Sequence, residues 1–83
     1  MNYHLREKNN QKYLVILSAG KPLASEQDAL DIVGACMEYE VSQVLIHASA
    51  LADDFFDLSS RLAGNILLKL GNYRVKTVVV LDD

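Results

Sequence analysis

A chain of 83 residues allows one domain with one core, since a domain this short hides only about 60 to 65% of the surface its unfolded chain exposes. Half of the residues (51%) are hydrophobic, more than two helices and a few strands readily cover, which predicts a homodimer. Eight basic and eleven acidic residues, net −3 and spread along the chain, provide no cationic face for a phosphate backbone and argue against nucleic acid.

Tyr3-His4-Leu5-Arg6 alternates apolar and polar, Glu7-Lys8-Asn9-Asn10-Gln11 is polar with two asparagines suited to positive φ, and Lys12 to Leu17 is a β-rich apolar run. The pattern predicts a hairpin. Tyr13 to Leu17 is too continuously apolar for a strand with one wet face, which places it inside the sheet with cover on both sides and leaves Tyr3 to Arg6 at the edge.

Ser18-Ala19-Gly20-Lys21-Pro22 breaks the pattern as a turn, because its single glycine lacks the spacing of a nucleotide-binding loop. Ser25-Glu26-Gln27-Asp28 then supplies a helix start, with a hydroxyl to cap the Asp28 amide and carboxylates in the first turn. The helix is predicted from about Glu26 to Tyr39. Ala29, Leu30, Val33, Cys36 and Met37 form its inward stripe and Gln27, Asp31 and Glu38 its wet side.

Val41 to His47 is the next strand, Asp53 to Arg74 reads as a second helix, and Val75 to Leu81 is a third apolar strand. The two exits from helix to strand echo each other at a spacing of 34, pairing Tyr39 with Tyr73, Val41 with Val75 and Val44 with Val78. Each unit is helix then strand, so the echo predicts successive right-handed crossovers. The expected fold over residues 1–83 is a single α/β domain, β-β-α-β-α-β, with a mostly parallel sheet edged by the antiparallel hairpin. The sequence stops at Asp82-Asp83 without a third helix, so either a partner covers that part of the sheet or the polypeptide is a shortened form of a longer domain.

Within the second helix, Phe55, Leu58, Leu62, Ala63, Ile66, Leu67 and Leu70 form an apolar stripe, and Asp57, Arg61, Asn65 and Lys69 a polar row. Asp57 and Arg61 make an acid-before-base pair at i,i+4. Gly64, costly in a helix, marks close approach to the sheet or to a second subunit, and Gly71-Asn72 is the expected stop.

Phe55-Phe56-Asp57-Leu58, then Ala63-Gly64, Leu67, Lys69 and Asn72-Tyr73-Arg74-Val75-Lys76, resemble an uncharacterised bacterial family known as domain of unknown function 4180. The hairpin, the Ser25-Glu26-Gln27-Asp28-Ala29 helix start and Ile46-His47 are similar too. Members of that family generally continue past the last strand. A more remote resemblance is to the STAS fold of anti-sigma-factor antagonists, whose Asp-Ser-Ser-Gly-type helix start is similar to Asp57-Leu58-Ser59-Ser60, with Leu58 inserted and Arg61 in place of the glycine. That resemblance implies phosphorylation at Ser59 or Ser60 that releases a partner. A helix beginning at Asp53 or Asp54 opposes it, since both serines then lie inside the helix, beyond the turn that stabilises a phosphate.

Candidate binding residues are His47, Asp53 and Asp57 at the carboxyl ends of the strands, and Asn72, Tyr73 and Arg74, with Lys76, as a polar cluster for an acidic group. No ligand spacing marks a metal site, and no motif names a cofactor or a catalytic residue. Cys36 lies on an apolar stripe as an inert thiol and can form no internal disulfide. No signal peptide or membrane-length apolar run is present, so the expected location is the cytoplasm, without a membrane partner. The function expected is a STAS-like regulatory or protein-interaction module, homodimeric, with Phe55, Phe56 and Gly64 as contacts. The competing expectation is a small-molecule binder or small enzyme around Ser18, His47 and Asp53.

Overall fold

Asn9 and Asn10 both adopt left-handed backbone, φ 55° and 66°, and this two-residue turn matches the twist of the strands it joins. It closes the antiparallel hairpin of β1 (Asn2–Lys8) and β2 (Gln11–Ser18), with Lys8 opposite Gln11. The structure is a computed structural model that describes residues 2–18 and 20–81, so the terminal Asp82-Asp83 lies outside the described residues.

The capping box at Ser25 forms as the sequence dictates. The Asp28 amide donates to Ser25 Oγ at 3.3 Å, and the Asp28 carboxylate accepts the amides of Ser25 at 3.1 Å and Ala24 at 2.7 Å. It starts α1 (Glu26–Glu38), followed by β3 (Gln43–His47), α2 (Leu62–Asn72) and β4 (Lys76–Val80). The echo at a spacing of 34 has a common cause: both helices end in the same turn. After α1 the Glu40 and Val41 amides donate to the Met37 and Cys36 carbonyls at 3.2 and 2.9 Å; after α2 those of Arg74 and Val75 donate to Gly71 and Leu70 at 2.9 and 3.0 Å. Glu40 and Arg74 supply the left-handed residue, φ 56° and 61°, where glycine is the usual choice. Gly71-Asn72, the expected stop, lies inside the last turn of α2.

The sheet order is β1-β2-β3-β4, antiparallel in the hairpin and parallel from β2 onward. Both crossovers step in the same direction, which puts both helices on one side of the sheet. Leu14 and Ile16 from β2, and Val44 and Ile46 from β3, meet Ile32, Cys36, Ile66 and Leu70 of the helices in one core. The alternate residues point the other way, where none of the described elements lies. The expectation that β2 is covered on both sides is therefore corrected: the helices cover one side only, and on the other Leu17 and Val78 are exposed while Val15 is buried.

Two further expectations change. In α1 the inward stripe uses Ile32 and Ala35 in place of Met37, which is 63% exposed. The second helix does not begin near Asp53. Residues Asp53–Phe56 and Leu58–Ser60 form two 3₁₀ turns, and Arg61, left-handed at φ 60°, precedes α2. The physical reason is side-chain competition for the backbone. Asp57 accepts the Ser59 amide at 2.9 Å, while the Ser60 hydroxyl donates to the Asp54 and Asp57 carbonyls. Leu58 consequently leaves the apolar stripe and is 93% exposed, and Asp57 and Arg61 are not an i,i+4 helical pair.

Candidate functional site

The carboxyl ends of β2 and β3 are tied together. The Leu23 amide donates to the Ala50 carbonyl at 2.8 Å, the Ala52 amide to the Leu23 carbonyl at 3.0 Å, and Leu23 and Leu51 form a parallel bridge. The Ser49 hydroxyl adds a bond to the Leu17 carbonyl at 2.8 Å. Open α/β sheets bind ligands where the strand order reverses, and the order β2-β3-β4 has no reversal. His47 is half-buried at the end of β3, Asp53 is exposed at the start of the first 3₁₀ turn, and the Ser18 side chain lies outside the described residues. Among the described residues no group of three His, Cys, Asp or Glu comes together as a metal site.

Asp57 caps the second 3₁₀ turn and accepts the Ser59 hydroxyl at 2.7 Å. That bond first, and the Ser59 amide second, hold its carboxyl below the usual carboxylate range. With α2 starting at Leu62, Ser59 and Ser60 precede the helix instead of lying inside it. The Ser59 hydroxyl faces a carboxylate, however, and Ser60 Oγ accepts the Leu62 amide at 3.2 Å, so both are engaged in holding the turn.

Asn72, Tyr73 and Arg74 are exposed in the turn that ends α2. Phe55 belongs to the core rather than to a contact surface, and only Phe56 of the pair is exposed, its ring edge to face with Phe55 at a 5.3 Å centroid separation. Gly64 marks no close approach within the chain: a Cβ there would meet nothing within 4 Å. Cys36 is buried, and burial raises its thiol pKa above the ordinary value.

The surface that sequence reasoning saw only in part, as a last strand without a helix to cover it, is the bare face of the sheet. Register places His4, Val15, Leu45 and Val78 side by side across all four strands. Val15 is only 5% exposed yet sits outside the main core. The adjacent row holds Arg6 opposite Tyr13 and Gln43 beside Lys76. A depression of about 300 Å³, lined by Lys8, Asn9, Tyr13, Gln43, Leu45 and Val78, opens at that end. Lys76 stood out in the sequence only as a neighbour of Arg74. The signal that finds the face is even-odd parity carried through four paired strands, which no single segment displays.

Residues 8–82 match one family along nearly the whole chain. The chain belongs to the family described as domain of unknown function (DUF4180). That description carries no activity. No curated protein and no solved structure gives a significant match, and the likeness to STAS domains finds no support in these comparisons. No described helix is long and apolar enough to cross a membrane.

Proposed function

We propose that this DUF4180 domain is a non-enzymatic protein-interaction module whose docking surface is the open face of its sheet. The observation that carries the reading is that Leu17, Leu45, Val78 and Val80, with the buried Val15 among them, share a face on which none of the described elements lies. Parallel strands are normally covered on both sides, and a contiguous bare apolar face marks contact with another molecule. Such a module acts by occupancy, so gaining or losing its partner is the regulatory output. The binder or enzyme reading has less support, because the loops at the carboxyl ends are bridged to each other and offer no switch-point crevice. Affinity capture with wild-type and Val78→Asp chains in parallel tests the proposal. A protein retained by the wild type and lost with a folded Val78→Asp chain supports it; identical captures contradict it.

A homodimer is the second reading. It is favoured by Leu58, Leu67 and Leu68, all exposed on the helical side, and by the open space at Gly64. Concentration-dependent sedimentation that Gly64→Leu weakens supports it, and a monomer at all concentrations contradicts it.

A further inference from the structure

We infer that the open face of the sheet receives one acidic amphipathic helix of a different protein, laid along β2 and β3 between cationic margins. The inference rests on the interaction-module reading and names the occupant. The two inner strands present Tyr13, Val15, Leu17 and Leu45 to this face, apolar along its middle, with Gln11 and Gln43 at one end and His47 at the other. The outer strands present the charges: Arg6 and Lys8 on β1, Lys76 on β4. All three are exposed, and among the described residues no carboxylate shares the face. Glu7, the one acidic residue within the strands, pairs with Lys12 on the helix-bearing side.

The dimensions suit a helix. From β1 to β4 is three strand spacings, about 14 Å, and a helix with its side chains is about 10–12 Å across. A helix over the inner strands therefore carries its flanking residues to both cationic margins. Five strand residues span about 17 Å, the length of about 11 helical residues, or three turns. Glutamate or aspartate on both flanks of a leucine stripe then meets Arg6, Lys8 and Lys76, while the stripe covers Val15, Leu45 and Val78. The depression beside Lys8 and Tyr13 takes one side chain at the end of the stripe.

A second copy does not satisfy these requirements. Two open faces brought together add three more cations and, among the described residues, no carboxylate to pair with them, and partly buried unpaired charges are costly. Nor does either helix of the chain fit. The outward face of α1 is Gln27, Asp31, Gly34 and Glu38 with the single apolar Met37 beside them, acidic without an apolar stripe. That of α2 has Leu67 and Leu68 with Asn65 and Asn72 and no acid. The charge pattern therefore selects a partner that is not self.

The test uses two fluorescein-labelled 15-residue helical peptides with the same leucine stripe, one flanked by glutamate and the other by lysine, titrated with the whole chain and followed by anisotropy. The glutamate peptide is expected to bind at least tenfold more tightly, with an affinity that falls as salt is raised. Val78→Asp should weaken it tenfold or more, and Arg6→Glu with Lys76→Glu, two exposed positions that leave the core intact, should reverse the preference. Equal binding of both peptides, lost in Val78→Asp, overturns the acidic occupant but keeps the face as a docking surface. No peptide binding together with a dimer that Val78→Asp dissociates gives the face to a second copy and overturns the inference alone. Peptide binding indifferent to Val78→Asp, or no binding by a monomer, overturns both the occupant and the docking face.

Discussion

Leu45 and Ile46 are neighbours on one strand, yet they belong to opposite surfaces of the same sheet, and the contrast between those surfaces organises the molecule. Ile46 points at the helices and is 1% exposed, sharing the core with Leu14, Ile16, Val44 and both helices. Leu45 points the other way, between Val15 and the 42% exposed Val78, with no second layer above it among the described residues. One face holds the domain together by burial; the other keeps apolar surface in water.

The largest effect should come from truncating each face in turn. Ile46→Ala is expected to cost about 3 kcal/mol in urea denaturation, and Val78→Ala less than about 1 kcal/mol. Equal losses would mean that the second face is covered after all. A finer version uses adjacent residues of β4. Thr77 lies on the covered face with its hydroxyl buried and without a hydrogen-bond partner, so Thr77→Val should stabilise by about 1 kcal/mol. Val78→Thr, on the open face, should stay within about 0.5 kcal/mol of wild type; the reverse order in thermal melts would swap the two faces.

Positions on neither face set a baseline. Arg74 holds a left-handed backbone, which costs a residue with a Cβ about 1 kcal/mol, so Arg74→Gly should raise the melting temperature without altering docking. A change in docking would place the α2–β4 turn in the interface. The smallest effect belongs to Asp57. Its carboxyl titrates below the ordinary range when folded, so its contribution to stability is complete above the unfolded-state value and is lost as pH falls through the lower folded value. Asp57→Asn should lower stability slightly near neutrality and flatten the acid limb of the stability–pH curve, the difference from wild type vanishing as pH falls through the folded value.

The strands, the hairpin turn, the Ser25 cap and the element order were legible because each rests on local chemistry: paired asparagines, a hydroxyl three residues before a carboxylate, apolar runs between turns. The start of α2 was not. Phe55, Leu58 and Leu62 have helical spacing, but Asp57 and Ser60 bind the backbone on their own account, and that competition is invisible to periodicity. The sidedness of the sheet was hidden for another reason. A run such as Tyr13 to Leu17 looks the same whether one face or both are covered, and Arg6, Lys8 and Lys76 become one charge pattern only once four strands are paired in register.

Methyl NMR with a soluble gadolinium chelate measures that sidedness directly in dilute protein. The methyl resonances of Leu17, Leu45, Val78 and Val80 should be broadened strongly while those of Leu14, Ile16, Val44 and Ile46 are spared. Comparable protection of both sets in a sedimentation-verified monomer would contradict the account, since the open face would then be closed.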